Sequence, residues 1–483
     1  MRHLAARNLV LGGAVAAGLA IAACSVNPAT GERQLTLISE QQELAMGAEY
    51  HEQVLASMPR LEDEAIQQYV AALGQRLAAA SERPSLPWTF VVLDDPAVNA
   101  FAIPGGHIYI TRGILTHFNS EAELASVLGH EIGHVTGRHS VEQMSKQQLL
   151  SIGLGVGMIL SPEAAQLGDL AQLGAGLLVL RFGRQDELEA DRLGLRYMAG
   201  ADYDPDEMSK VFQTLGRVSD AVSGGQRLPN WLSTHPNPAD RFTRIEAEKA
   251  ALGAAGTVVG RDEYLDRIDG MVYGSDPRQG YFVGQAFYHP DMKFQITFPS
   301  GWKTANQTQR VVAASPQQDA LVQLSLAGAS PAQEAARKFV AQQGITAGSP
   351  RGLTVHGIQG VGAPFTATSN QQEVAGMAVF LDYGERTFQL LGYTPRTAWD
   401  GRKGELTGAI DSFRALTDRR YLDVEPARVD LVRLSAPTSV ESFAARYPSS
   451  TSADELAILN GVDPGGTIPA GEAKRIVGGE LPK

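Results

Sequence analysis

The strongest constraint on this chain is a five-residue sequence, His-Glu-Ile-Gly-His, that begins at His130. Ser120 and Glu123 form a capping pattern ahead of it, and apolar residues then recur at helical spacing, so the segment is predicted to be a helix. Four residues turn a helix through slightly more than one circuit, so His130 and His134 project from one face and can bind one cation. Neutral imidazole is a good zinc ligand, and the Glu131 carboxylate can take a proton from metal-bound water. The alternative is two histidines that only pack.

A tetrahedral catalytic zinc needs a third protein ligand and one open position, and two residues compete for this role. His139 lies one residue short of the last histidine in the HExxHxxGxxH pattern of metzincins, a shift that moves its ring away from the metal. Glu187 and Asp191 stand four apart on a second predicted helix and share a face. We therefore predict Glu187 as the ligand and Asp191 as the acceptor for the free N–H of a ligand histidine, with Glu189 directed elsewhere.

A small sheet is predicted just before the metal-binding helix. Its strands are expected over residues 88–93, 98–103 and 107–111, after two amphipathic helices over residues 39–58 and 62–81. An exposed edge strand can pair with an extended peptide through main-chain hydrogen bonds. Asn99 and Ala100 are our candidates for such a substrate-binding edge. An ordinary hairpin packed on helices is the alternative.

The N-terminus has the pattern of a secretory signal. A basic start is followed by small apolar residues over 9–23, a stretch too short for a confident membrane span. The sequence Ile-Ala-Ala-Cys that ends at Cys24 resembles a bacterial lipobox, which implies that Cys24 is lipidated and becomes the first residue. The alternatives are a plain cleaved signal or a buried thiol. Ser25 in the next position implies passage to the outer membrane, with the protein tethered there in the periplasm.

Composition limits the partners. The net charge of −12 argues against a nucleic-acid partner bound through a basic surface. The single cysteine excludes an internal disulfide framework. With 43% hydrophobic and 19% charged residues, the 483-residue chain has an ordinary globular composition and enough length for two to four domains.

Four segments in order resemble the gluzincin metallopeptidases that include HtpX, the CAAX prenyl proteases and BepA-like periplasmic proteases. They read VNAFAIPGGHIYITRG (98–113), HEIGHVTGRHS (130–140), FGRQDELEADRLG (182–194) and STHPNPADR (233–241). The resemblance covers roughly residues 30–250. It implies a zincin-type catalytic domain with one Zn²⁺ per chain, with three ligands: His130, His134 and Glu187.

The same resemblance implies roles for three further residues. Glu131 is implied as the general base, His235 as a residue near the fourth coordination position, and Arg241 as a residue close to the metal. His235 either covers the open position in a resting state or donates a hydrogen bond to the oxyanion during turnover. Two apolar runs in the same region, 149–160 and 167–180, are expected to be a lid or substrate contact, or else core helices.

The rest of the chain is predicted to hold two smaller domains. Strand patterns over 293–298, 320–326, 377–381 and 387–391 and helices over 331–343 and 405–416 predict an α+β domain, with helices on one side of an antiparallel sheet. Residues 294–302 resemble PsbP-like folds. The last sixty residues follow a strand-helix-helix-strand order that resembles a LysM-type module, which implies binding to peptidoglycan glycans; a spacer is the alternative.

The predicted architecture is therefore an α+β multidomain chain with a mainly helical catalytic domain. Its parts are a lipoprotein signal (1–23), a metallopeptidase domain (24–275), an α+β domain (276–424) and a βααβ module (425–483). The predicted function is zinc-dependent hydrolysis of misfolded or stalled envelope proteins. The alternatives are a chaperone or assembly factor for outer-membrane proteins that cuts rarely, and an adaptor that binds peptidoglycan.

Overall fold

The structure is a computed structural model. It describes residues 24–153, 182–222, 231, 235, 241–253, 256–328, 330–369 and 372–482. The predicted signal, and the apolar runs beyond residue 153, lie outside these residues. Two compact units are present: one holds the chain up to Gly274 together with 428–477, and the other holds Ser275–Ala427 together with the residues after Val477.

The first unit starts with a hairpin and is then mainly helical. The hairpin pairs β1 (Cys24–Val26) with β2 (Arg33–Leu35) in antiparallel fashion. The described helices of its longer segment are α1 (Glu40–Ser57), α2 (Glu64–Ala79), α3 (Arg112–Leu115), α4 (Glu121–Thr136), α5 (His139–Gly153), α6 (Arg184–Gly200), α7 (Asp206–Val222), α8 (Arg241–Leu252) and α9 (Arg261–Ile268). The first two lie within the predicted ranges, and Ser39 begins α1 with a capping box.

The predicted three-stranded sheet is present. It consists of β3 (Thr89–Leu93), β4 (Ala100–Ile103) and β5 (His107–Thr111), with β5 in the centre. β5 runs parallel to β3 and antiparallel to β4. A Gly-Gly pair with φ of 88° and 95° makes the turn between β4 and β5, a conformation that glycine adopts without a steric cost. Because β5 is the central strand, β4 is an edge strand of the sheet.

α4 carries the HExxH sequence and is buried along its length. The Ser120 hydroxyl accepts a hydrogen bond from the Glu123 N–H at 3.1 Å, as the capping pattern predicts. The Glu123 carboxylate accepts from the N–H of Asn119 at 2.6 Å, one residue earlier than a standard capping box requires. α4 packs closely on α6, where small residues, Gly129, Gly133 and Gly194, let the two backbones approach.

The second unit is built on a large antiparallel sheet. Its strands are β9 (Lys303–Gln307), β10 (Arg310–Ala314), β11 (Leu321–Leu326), β12 (Ile345–Ala347), β13 (Arg351–Val355), β14 (Ile358–Ser369), β15 (Gln372–Tyr383) and β16 (Arg386–Pro395). Their order in the sheet is β12-β14-β15-β16-β11-β10-β9, and β13 also pairs with β14. A smaller sheet orders β17 (Arg414–Ala415), β8 (Phe294–Thr297), β7 (Ala286–His289) and β6 (Tyr281–Val283).

The helices of this unit differ from the prediction in two ways. α10 (Ala332–Val340) packs with Ala378 and Phe380, whereas α11 (Trp399–Asp411) packs with Val379 and Leu381, so the helices cover opposite faces of the large sheet rather than one. The helix predicted over 405–416 begins at Trp399 and ends at Asp411. Residues 414–415 pair with β8 instead, and a one-turn helix, α12 (Arg419–Leu422), follows.

The C-terminal residues of the first unit have the predicted strand-helix-helix-strand order. β18 (Arg428–Leu434) pairs with β21 (Gly471–Val477), and α13 (Val440–Arg446) and α14 (Ala453–Leu459) lie between them, with a short pair of β19 (Thr438–Ser439) and β20 (Thr467–Ile468). The side chain of Lys474 is fully buried and donates to the carbonyl oxygens of Thr116 and Phe118 at 3.0 and 2.8 Å. These residues are thus packed into the first unit. No helix in the described ranges has both the length and the apolar character needed to cross a bilayer.

Candidate metal centre

Four buried side chains bring possible metal-ligand atoms to one point. His130 and His134 come from α4, Glu187 comes from the first turn of α6, and His235 comes from the segment before α8. One ligand atom from each lies within 4.8 Å of the others. Three of these residues are the ligand set predicted from the sequence, and His235 is the residue predicted near the fourth position.

The spacing of these atoms fits one zinc ion. Nε2 of His130 lies 3.0 Å from Nε2 of His134 and 3.6 Å from Oε2 of Glu187. Nε2 of His134 lies 3.6 Å from Oε1 of Glu187, and Nδ1 of His235 lies 3.2 Å from Nε2 of His130. Zn–N and Zn–O bonds of about 2.0–2.1 Å in a tetrahedron place the ligand atoms about 3.3–3.4 Å apart. The histidine nitrogens and the Glu187 carboxylate are therefore close enough together to hold one zinc ion.

The carboxylate of Asp191 directs the His130 ring toward that centre. Nδ1 of His130 lies 2.9 Å from Oδ1 of Asp191, which can only accept, so Nδ1 carries the proton and the lone pair of Nε2 faces the other ligands. Nη2 of Arg241 donates to the same carboxylate at 2.7 Å. Burial raises the pKa of Asp191, but the charge and hydrogen bonds of Arg241 outweigh it and lower that pKa to about 2. Asp191 is thus a fixed anion.

Arg241 also contacts the third predicted ligand. It is fully buried, and its Nη1 lies 3.0 Å from Oε2 of Glu187. Burial raises the pKa of Glu187, but the charges of His235 and Arg241 bring it below its ordinary value. The guanidinium stacks over Phe212 at 4.2 Å and Trp231 at 5.4 Å, aromatic contacts that the sequence did not predict. Arg241 therefore lies close to the metal site, bridging Glu187 and Asp191.

Glu131 points into the site without a fixed partner. Its side chain is fully buried, and neither carboxylate oxygen has a hydrogen-bond partner among the described residues. Nε2 of His235 lies 3.5 Å from Oε1 of Glu131, which is longer than an ordinary charge-assisted hydrogen bond. A buried acceptor of this kind is costly unless a ligand, water or substrate supplies a donor. This arrangement suits a group that handles a proton during a reaction.

His139 lies behind the site rather than in it. Its Nδ1 is 2.9 Å from Nδ1 of His134, the nitrogen on the far side of the ligand ring from the other three residues. The sequence reasoning that rejected it as a third ligand agrees with this position. Glu189, expected to be directed elsewhere, lies 3.4 Å from Nε2 of His139. The near-metzincin spacing was the one signal in the sequence for His139, and it indicated the wrong role.

The two residues predicted at the substrate edge differ in their main-chain bonding. The N–H of Asn99 donates to Oγ1 of Thr111 and its carbonyl accepts from the N–H of Thr111, so Asn99 is engaged with β5. In an antiparallel pair the bonding direction alternates, so the main-chain groups of Ala100 face away from β5. The carbonyl of Val98, which has the same direction, accepts from the N–H of Trp231 at 3.3 Å. Ala100 is fully buried, and substrate binding by this pair stays a prediction.

Comparison with known proteins gives an independent result. Residues 64–249 match the family model of peptidase family M48. The chain is 33% identical over 283 residues to the beta-barrel assembly-enhancing protease of Yersinia pestis, which is 56% of this chain and 57% of that protein. It is 34% identical over 226 residues to the protein of the same name from Escherichia coli K12, covering 44% and 45%. It is 36% identical over 182 residues to mitochondrial metalloendopeptidase OMA1 of Arabidopsis thaliana, covering 38% and 36%.

The matches have limited extent. The chain spans about half the length of the two bacterial relatives, 57% and 45%, and less of the plant protein. A solved structure of cyanobacterial PsbP from Synechocystis aligns with 28% of this chain and 94% of its own length, with 12% identity and a TM-score of 0.24. That score is too low to test the predicted PsbP-like resemblance.

Proposed function

We propose that the chain is a zinc-dependent endopeptidase of the kind found in peptidase family M48, whose family model matches residues 64–249. The observation that carries the proposal is the convergence of four buried ligand atoms beside the unpartnered carboxylate of Glu131. His130, His134 and Glu187 would hold the ion. When bound, zinc acts as a Lewis acid that brings the pKa of its water to about 7 and polarises a peptide carbonyl.

The residues of the chain supply the proton transfers and the positioning. Glu131 accepts a proton from the attacking water and passes it to the nitrogen of the leaving amine. Asp191 keeps His130 in the tautomer that offers Nε2, and Arg241 holds Asp191 and Glu187 in place. The main-chain groups of Ala100 on the β4 edge hold the substrate as an added strand.

His235 is proposed to restrain the resting enzyme. Its Nδ1 lies 3.0 Å from Oε1 of Glu187 and 3.2 Å from Nε2 of His130, which supports a place at the fourth corner of the site. Substrate then enters only when His235 leaves that corner. Once displaced, its ring is available to donate a hydrogen bond to the oxyanion.

The proposed substrates are misfolded or stalled proteins of the bacterial envelope. Two relatives are named beta-barrel assembly-enhancing proteases, which supports substrates connected with outer-membrane protein assembly. The lipobox-like sequence supports export and lipidation at Cys24, and hence a tethered periplasmic protein at the outer membrane. The C-terminal module, residues 425–483, is proposed to be LysM-like and to contact peptidoglycan, which sedimentation of the full chain with purified peptidoglycan tests.

The test of the enzyme is metal content measured beside casein cleavage. Purified protein should contain about one zinc per chain and cleave casein, and a chelator should abolish cleavage until zinc is restored. A Glu131→Gln variant should bind zinc without cleaving, and it should fail to rescue a deletion strain. Full rescue by that variant would favour the chaperone or assembly factor, and protein without bound zinc would exclude the peptidase.

A further inference from the structure

The N-terminal hairpin connects to the back of the metal site through a chain of polar side chains. Nδ1 of His134 lies 2.9 Å from Nδ1 of His139, and Nε2 of His139 lies 3.4 Å from Oε1 of Glu189. The same Oε1 accepts from Nδ2 of Asn27 at 2.7 Å. His134, His139 and Asn27 are at most 6% exposed, and the side chain of Glu189 is 16% exposed.

The proton positions along this series of side chains follow from the chemistry of the Glu189 carboxylate. At 3.4 Å the negative charge of the Glu189 carboxylate favours the tautomer of His139 in which Nε2 carries the proton, because a carboxylate can only accept. In a neutral ring the Nδ1 of His139 is then an acceptor, and it takes the N–H of His134. Nε2 of His134 is left with a lone pair that faces Nε2 of His130 and Glu187. Without His139 or Glu189, the contact that places the proton of His134 on Nδ1 is lost.

Two backbone features allow His139 to contact His134 and Glu189. Arg138 has φ of 56°, a left-handed conformation that is uncommon outside glycine, and this turn brings His139 back under His134. The conformation is held by Glu43, whose Oε2 accepts from Nε of Arg138 at 2.8 Å. At Gly137, an added Cβ would lie 2.5 Å from Nε2 of His139 and 2.9 Å from Oε1 of Glu189. Only glycine leaves room for the pair.

We propose that His139, Glu189 and Asn27 are positioning residues that fix the tautomer and ring orientation of the ligand His134. The inference rests on the proposed zinc site. His130 receives the same kind of support directly from the carboxylate of Asp191. For His134 the carboxylate is that of Glu189, and the ring of His139 lies between the two. Asn27 orients that carboxylate, so the hairpin that starts at Cys24 contributes to metal binding.

The test measures zinc affinity of the full chain by competition with a chelator at one fixed pH. His139→Phe keeps a ring but removes both nitrogens, and we expect zinc to bind about 10–100-fold more weakly. Glu189→Gln should give a smaller loss because an amide can donate as well as accept. Glu142→Gln, a change of the same kind on the first turn of α5, is the matched control and should bind zinc like the wild type.

A double-mutant cycle separates positioning from a general loss of structure. If Glu189 acts through His139, adding Glu189→Gln to His139→Phe should weaken zinc binding by less than twofold further. The absorption spectrum of the cobalt-substituted protein should also change in His139→Phe, because it reports the ligand geometry. Wild-type zinc affinity in both single variants, or additive losses in the double variant, would overturn the proposal. A wild-type chain that binds no zinc would instead refute the proposed function on which it rests.

Discussion

The contact between α4 and α6 sets the distance between the ligands on these helices, and Gly194→Ala is the substitution that tests this. A Cβ added at Gly194 would lie 2.9 Å from the backbone nitrogen of His130 and 3.1 Å from the carbonyl carbon of Gly129. Ordinary contact begins at 3.4 Å, so the helices must separate by about half an ångström. These are backbone atoms, which cannot rotate away as the end of a side chain can.

The expected effects can be ranked by size. Alanine adds helix propensity of about 1 kcal/mol, and overpacking a close helix contact costs about 1–3 kcal/mol, so the metal-free protein should lose at most about 2 kcal/mol. Metal–ligand distances in plausible sites fall within about 0.2 Å of their standard values, so we expect a half-ångström separation to weaken zinc binding at least tenfold. The loss of zinc affinity should therefore exceed what the loss of stability suggests.

The assay combines chelator competition for zinc with thermal unfolding of the metal-free protein. Gly216→Ala on α7 is the control, because an added Cβ there meets no atom within 4 Å, and it should leave zinc affinity unchanged while raising stability by up to about 1 kcal/mol. Zinc affinity of Gly194→Ala within twofold of the wild type would refute the reasoning, since the helices would then separate without moving the ligands.

Three further outcomes follow from the site. Glu131→Gln should lower peptide cleavage by about 10²–10⁴-fold, yet the metal-free variant should unfold at the same or a higher temperature, because the carboxylate has no hydrogen-bond partner among the described residues; calorimetry that showed a clear loss of stability would contradict this. Removal of zinc by a chelator should lower the unfolding temperature, and zinc at 100 times its Kd should raise the free energy of unfolding by about 2.7 kcal/mol. Equal unfolding temperatures with and without zinc would contradict a zinc site in the folded protein. Asp191→Asn removes one of the anions that contact the buried guanidinium of Arg241. It should lower the free energy of unfolding, measured by chemical denaturation, by about 3–5 kcal/mol. A decrease of less than about 1 kcal/mol would argue against this ion pair as a support of the site.

Much of the site is visible in the sequence because it depends on local spacing. A four-residue interval places His130 and His134 on one face of α4, and the same interval places Glu187 and Asp191 on one face of α6. The contact between Asp191 and His130 then follows from the ordinary need of a ligand histidine for an acceptor. Periodicity and capping fix such helices and their faces.

The role of His139 could not be read in this way. It depends on the left-handed turn at Arg138, which is held by an acidic residue 95 positions earlier, and on a hairpin residue 162 positions before Glu189. Neither contact follows from the spacing of residues within one helix. Regular helical geometry, extended past Gly137, gives the wrong direction for the His139 ring.

The error in the second unit has a different physical origin. Residues 377–381 of β15 are a continuous apolar run, and a strand with one solvent-exposed face alternates apolar and polar residues instead. A continuous run indicates that both faces are covered, as they are here by α10 on one side and α11 on the other. The apolar run of β15 therefore indicates helices on both faces of the sheet, not on one.

The helix that carries His130 and His134 is held at both ends by parts of the chain that are distant in sequence. Before its N-terminus, Lys474 donates to carbonyl oxygens 356 and 358 residues away, in the loop that leads to the Ser120 cap. At its C-terminus, where helix carbonyls lack partners within the helix, Nη1 of Arg83 donates to the carbonyl of Val135 at 3.1 Å. Because the ends are fixed from outside, the ligands on the helix are positioned by the whole first unit. The C-terminal residues 428–477 therefore support the metal site whether or not they also bind a glycan.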